Sequence, residues 1–139
     1  QEGEEVVLYD RVNLFTPISI ADGSYRSVLL PLEDDLDVFL EKALPVVERA
    51  KRGEGQAHEE KDHNRDFILI SVNPWYRFTS VQVGIPQVPH ENIPIFTFGK
   101  VTEEHGKRVM PVALSVNHGF VSGFQIGCFL KEFQQMLDR

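Results

Sequence analysis

The stretch PVALSVNHGFVSGFQIGCFLKEFQQML, residues 111–137, decides the fold. It reads as a strand, a turn holding one histidine, and a closing amphipathic helix. From Val109 onward the residues alternate, so Met110, Val112, Leu114 and Val116 share one strand face, and His118 continues that face. An imidazole in that position is expected to be partly buried. Gly119 and Gly123 flank it and allow tight backbone turns. Ser122 has the chemistry of a helix N-cap, and Gln125 follows three residues later, as in a capping box. Ile126, Phe129, Leu130, Phe133, Met136 and Leu137 recur at helical spacing. The histidine is therefore expected at a strand-to-helix junction.

Working outward, Ile95–Val101 and Arg108–Asn117 read as a long hairpin feeding that helix, with Glu103–Lys107 as its polar turn. Phe67–Val72, FILISV, is apolar on both faces and reads as a central buried strand. Asn73 and Pro74 break it. Trp75–Val83 reads as irregular, then extended, and Gly84–Pro94, with Pro86, Pro89 and Pro94, as loop. Gly53–Asp66 has almost no apolar residue and reads as an exposed loop.

Upstream, Asp34 and Asp35 open a helix, their charges suited to the positive end of its dipole. Leu36, Phe39, Leu40, Ala43, Leu44 and Val47 form its apolar stripe, and Lys51, Arg52 and Gly53 end it. Pro45 lies inside and is expected to kink or split the helix. Glu5–Tyr9, Val12–Ala21 and Tyr25–Leu32 read as strands, the last two forming a hairpin about Asp22-Gly23 and Pro31 ending it. Strand runs dominate without regular βαβ alternation. The expected fold class is α+β, a mixed, mostly antiparallel sheet with helices on one side.

Composition sets the frame. The 139 residues suit one domain, residues 1–139, and 42% hydrophobic with 25% charged is ordinary globular composition. A net charge of −7 argues against general affinity for nucleic acid or anionic membranes. No apolar run approaches the roughly 20 residues of a membrane helix. One cysteine, Cys128, excludes an intrachain disulfide, and a reducing cytoplasm is the expected setting. The opening QEGEEVVLYD has neither the basic flank nor the apolar core of a signal peptide. It lacks Met and enters a strand almost at once, so residues upstream are expected.

Few side chains in this pattern can carry chemistry. Imidazole suits proton transfer near neutral pH, so His118 is either a general base or a core histidine with a satisfied hydrogen bond. Ser71 places a hydroxyl inside FILISV; it either bonds nearby backbone or donates to a developing oxyanion. Thr97 in IFTFGK raises the same question, and Lys100 is either a solvated cation or a phosphate partner. Cys128 falls within the last helix and reads as a small buried residue rather than a nucleophile. His58 and His63, beside Glu59, Glu60 and Asp62, match no standard metal spacing, and no metal site is expected.

Taken together, ISVNPWYRFTSV at 70–81, PIFTFGK at 94–100 and MPVALSVNHGFVSGF at 110–124 resemble the chloramphenicol acetyltransferase family. That family carries a Ser-x-x-Pro-Trp segment, a Phe-Thr-x-x-Lys-like strand, and then a His-His-x-x-x-Asp-Gly-Phe motif, here in matching order and separation. EVVLYDRVNLFT also resembles the family's strand pair in its first half. The resemblance implies a two-layer α+β sandwich assembled as a homotrimer, with active sites at subunit interfaces. It implies direct acetyl transfer from acetyl-coenzyme A to an acceptor hydroxyl, chloramphenicol or another, and with it a role in antibiotic resistance.

By position, His118 matches the general base, Ser71 the oxyanion donor, Thr97 a second stabiliser acting through water, and Lys100 a lysine on the coenzyme A side. Two positions depart from the motif. Asn117 stands where the first histidine is usual, and Ser122 where the motif has aspartate. In the family that aspartate pairs with an arginine from the N-terminal region. Serine cannot form the ion pair, though it keeps the capping role. The chain corresponds to the C-terminal two-thirds of the family fold. The alternative to an enzyme is a catalytically impaired homologue acting as a ligand-binding or oligomeric scaffold. The acyltransferase core of 2-oxoacid dehydrogenase complexes shares the fold and the histidine motif, but the Asn-Pro-Trp segment fits the antibiotic acetyltransferases better.

Overall fold

A computed structural model describes residues 7–54, 66–82 and 93–138. In chain order the elements are β1 (Asn13–Ser19), β2 (Tyr25–Leu30), α1 (Leu36–Lys51), β3 (Phe67–Val72), β4 (Ile95–Phe98), β5 (Thr102–Glu104), β6 (Lys107–Val109), β7 (Val112–Ser115) and α2 (Gly123–Leu137). Five strands form one sheet in the order β2-β1-β3-β4-β7, and β5 with β6 forms a separate ribbon. The pairs at the two edges, β1–β2 and β4–β7, are antiparallel. The two inner pairs, β1–β3 and β3–β4, are parallel. The sheet is therefore mixed, with FILISV at its centre.

Local chemistry accounts for the elements. The β1–β2 hairpin turns where Asp22 accepts from the Ser24 amide at 2.8 Å. Asp35 caps α1 by accepting from the amides of Asp37 at 2.9 Å and Val38 at 3.1 Å, a contribution of about 1 kcal/mol. Pro45 neither ends nor splits α1, which runs from Leu36 to Lys51. The carbonyl of Glu41, which Pro45 cannot bond, belongs to an exposed residue that water can reach. The start of β3 is clamped to β1, since Asn13 donates to Asp66 from its backbone at 2.7 Å and from its side chain at 3.0 Å.

The helices lie on the sheet as a second layer. α1 packs over β2 and β1. Of its expected stripe, Ala43 turns fully inward together with Ala50, while Leu36, Leu40 and Leu44 stay exposed. α2 rests on β4 through rings: Phe129 meets Phe96 at 5.5 Å and Phe133 meets Phe98 at 6.3 Å between centroids. Such pairs each add about 0.5–1.5 kcal/mol beyond their buried area. Cys128 is exposed, contrary to expectation. The seam of Ile126, Phe129 and Phe133 sets the helix's rotation, and Cys128 projects about 100° away from Phe129. The strands are mostly half-buried, so FILISV is central without being enclosed by these residues.

The expected hairpin between Ile95–Val101 and Arg108–Asn117 exists but is broken in its middle. Phe98 faces Val112, and the Gly99 amide donates to the Pro111 carbonyl at 2.9 Å. Beyond that, Thr102 faces Val109. Lys100 and Val101 therefore stand opposite Met110 alone, which is a β-bulge. The tip is narrower than expected, with Glu103, Glu104 and Lys107 in strands. His105 and Gly106 alone turn the chain, at φ 51° and 74°, as a two-residue turn of the mirror-image type demands.

The expected strand Glu5–Tyr9 begins outside the described residues, and Val7, Leu8 and Tyr9 form no strand. Segment 73–82 is irregular, without the extended part that was expected. The expected loops over 53–66 and 84–94 lie largely outside the described residues, as do His58 and His63 with their acidic neighbours.

Candidate active site

Sheet register brings two of the sequence-read residues together. Ser71 pairs directly with Thr97 across β3–β4, and Thr97 pairs with Ala113 across β4–β7. Directly opposed residues share a face, so the two hydroxyls form one row. Phe96 and Phe98 point the other way, into α2, so the row lies on the sheet face that α2 does not cover. Thr97 is buried, with 3% of its surface exposed, and Ser71 is half-buried. Neither hydroxyl bonds another described side chain or carbonyl, so each can serve a ligand or a water.

The segment after Ser71 is locked to the end of β4. The Asn73 amide donates to the Phe98 carbonyl at 2.8 Å, and the Lys100 amide to the Tyr76 carbonyl at 2.9 Å. The bulge thus turns the Lys100 amide out of the ladder and gives it to this loop. Arg77 and Glu104 add an ion pair between the loop and the ribbon. Gly99 sits between Pro111 and Phe78. A Cβ there would meet Pro111 Cγ at 2.6 Å and Phe78 Cε1 at 2.9 Å. Gly99 and Phe78 escaped the sequence reading, although a glycine beside a lysine in a strand is itself a sign of a bulge or close backbone approach.

His118 is placed differently from expectation. β7 ends at Ser115, and the histidine begins a turn over 118–120, exposed rather than on an apolar strand face. Its surroundings are local. The Asn117 side chain accepts from the Gly119 amide at 2.8 Å, and the Asn117 carbonyl accepts from the amides of Phe120 and Val121, both at 3.1 Å. Nδ1 of His118 lies 3.2 Å from the Val121 carbonyl oxygen. A carbonyl only accepts, so Nδ1 carries the proton and Nε2 of the neutral ring keeps its lone pair. The expected capping box is present: Ser122 Oγ accepts from the Gln125 amide at 3.3 Å, and Gln125 Oε1 accepts from the Ser122 amide at 2.8 Å.

Because β7 runs antiparallel to β4, Ser115 stands beside Ile95. His118 therefore leaves the sheet past the Ile95 end, whereas Lys100 leaves past the Phe98 end. Among the described residues no hydrogen bond joins His118 to Ser71, Thr97 or Lys100. Each end carries exposed rings: Trp75 and Tyr76 at one, Phe120 and Phe124 at the other. Among the described residues no cluster of three metal-ligating side chains occurs, and no helix is long and apolar enough to cross a membrane.

A mixed five-stranded sheet with two helices packed on it makes a two-layer α+β sandwich. A dihydrolipoamide acetyltransferase from Azotobacter vinelandii shares it at a TM-score of 0.65 and 20% identity, over 97% of this chain and 57% of that one. A chloramphenicol acetyltransferase of known structure superposes at a TM-score of 0.79 and 28% identity, over 89% of this chain and 60% of that one.

The family described as "CAT: Chloramphenicol acetyltransferase" matches residues 1–134, and the chain belongs to this family. A chloramphenicol acetyltransferase from Escherichia coli is 31% identical over 96% of this chain and 61% of its own length. One from Staphylococcus aureus is 24% identical over 97% and 62% respectively. The chain thus spans about three-fifths of the length of the curated relatives it matches.

Proposed function

We propose that this chain forms the acetyl-transferring part of an acetyl-coenzyme A-dependent O-acetyltransferase. The observation that carries the reading is the His118 turn, whose Val121 contact leaves Nε2 free to take a proton in a chain of this family. In the proposed reaction His118 Nε2 removes the proton from the acceptor hydroxyl as its oxygen bonds to the thioester carbonyl carbon. Ser71 donates a hydrogen bond to the resulting oxyanion, with Thr97 supporting it through water. The carbon–sulfur bond then breaks, and the imidazolium returns its proton to the departing thiolate. A positioned base supplies about 10²–10⁴-fold and one oxyanion donor about 3 kcal/mol. Lys100 faces the coenzyme, and chloramphenicol is the first acceptor to test.

We place the site between two copies of the chain in a homotrimer, with residues 1–139 acting as one domain in the cytoplasm. His118 leaves the sheet past the Ile95 end and has no described hydrogen bond to Ser71 or Thr97, and exposed rings flank both sheet ends. Apolar rims of this kind favour association, and a neighbouring copy would bring one end against the other. The experiment is thiol release from acetyl-coenzyme A with chloramphenicol and a panel of hydroxyl compounds. Absence of turnover with every acceptor, together with no coenzyme A binding by calorimetry, would sink the reading. Ser122 favours a second one, a scaffold or ligand-binding homologue, because serine cannot form the aspartate's ion pair. In that case His118→Ala would leave ligand binding and assembly unchanged.

A further inference from the structure

We infer that Gln125 is a positioning residue for His118, acting through the single peptide group between Val121 and Ser122; the catalytic part of this inference rests on the acetyltransferase reading. Two hydrogen bonds meet on that group. Its N–H, from Ser122, donates to Gln125 Oε1 at 2.8 Å. Its C=O, from Val121, accepts from His118 Nδ1 at 3.2 Å. A peptide group is planar, with N–H and C=O pointing in opposite directions, so fixing one end aims the other. Gln125 therefore points the carbonyl at the imidazole and holds the proton on Nδ1.

The two bonds also polarise each other. A group whose N–H is engaged becomes a better acceptor at its oxygen. Neighbouring bonds leave the group little freedom. The Val121 amide is tied to the Asn117 carbonyl at 3.1 Å, and Ser122 Oγ accepts from the Gln125 amide at 3.3 Å. Gln125 is anchored in the first turn of α2, and α2 is anchored on β4 by Phe129 and Phe133. The chain of restraint runs from the sheet through the helix to one peptide plane and ends on the ring. It contains no formal charge, although the family motif has an aspartate at position 122. In this protein the brace is a neutral capping box.

The test is nitrogen NMR of the neutral imidazole in the full chain, with signals assigned by their loss in His118→Asn. The wild-type ring is expected to carry its proton on Nδ1. Gln125→Leu is expected to raise the Nε2-protonated share by about twofold or more. It should lower kcat about tenfold, with the KM for acetyl-coenzyme A held within about twofold, because the ring's orientation and not coenzyme binding is disturbed. Gln125→Ala is measured in parallel, so a folding failure of the leucine variant does not end the experiment. Gln125→Glu keeps an acceptor for the Ser122 amide and should restore the wild-type spectrum.

Gln134→Leu makes the same chemical change at the far end of α2, where Gln134 bonds Asp138, and should alter neither reading. An imidazole spectrum identical in wild type, Gln125→Leu and Gln125→Ala overturns the inference, as does failure of Gln125→Glu to restore it. A protein without acetyl transfer whose tautomer still responds to Gln125→Leu supports the positioning role and removes the acetyltransferase reading instead.

Discussion

The two halves of the candidate site are built on opposite plans. Ser71 and Thr97 meet because distant strands pair in a fixed register, and Gly99 lets Phe78 and Pro111 close against the end of β4. His118 is held by nearest neighbours. The contact of its Nδ1 with the Val121 carbonyl, the Asn117–Gly119 bond and the Ser122–Gln125 box all join residues close in sequence. The first half depends on the whole sheet; the second is a short turn supported by one helix. The hydroxyl row should therefore fail together with folding, whereas the histidine should be removable with the fold intact.

The largest effect expected is on chemistry alone. His118→Ala should lower kcat about 10³-fold. The residue is exposed, so the urea midpoint should stay within about 0.5 kcal/mol of wild type. A collapse of stability in this variant would break the contrast. Ser71→Ala should lower kcat about 10²-fold by removing one oxyanion donor. Co-expressing the two variants sharpens the comparison, since copies exchanging intact halves would recover activity that neither variant has alone. No recovery in co-purified mixed assemblies would place both halves in one chain.

Gly99→Val should act on stability first. Its side chain would press on Pro111 and Phe78, and such overpacking costs about 1–3 kcal/mol, read as a lower urea midpoint. Activity should fall only in proportion to the folded fraction. A loss of kcat at full folding would make Gly99 part of the chemistry.

The smallest effect lies far from both halves. The Lys42 ammonium, bonded to Glu33 at 2.6 Å, holds the Glu33 carboxyl below its usual range. A carboxyl depressed in the folded state stabilises the fold above its unfolded pKa and loses that contribution as pH falls through the folded value. Lys42→Met should thus differ slightly from wild type at neutral pH and converge with it in acid, by thermal melting. The pair is solvent-exposed, so added salt should shrink the difference as well.

How much was legible follows the same division. The Ser122–Gln125 box, the Asp35 cap and the turn at Gly23 are short-range patterns, and the sequence states them outright. The three motifs single out His118, Ser71, Thr97 and Lys100, of which the sheet register brings Ser71 and Thr97 together. The alternation from Val109 to His118 misled, because it assumed one unbroken strand. The bulge at Lys100 and Val101 offsets the ladder, and β7 stops at Ser115, so His118 inherits no strand face. Pairing β1 and β4 in parallel with β3 depends on crossovers that local periodicity does not encode. Cys128 was misjudged for a related reason. Helical spacing gives the apolar stripe of α2 but not its rotation, which the four rings of Phe96, Phe98, Phe129 and Phe133 decide.

The bulge at Lys100 has a further consequence for how the chain can vary. It already absorbs one residue of mismatch between the inner ladder and the ribbon tip. A single-residue insertion or deletion around His105 and Gly106 can be taken up there as a change in the size of the offset. The row from Ser71 to Ala113 would keep its register. The bulge works as an expansion joint: the ribbon can drift in length over evolutionary time while the hydroxyl row stays aligned.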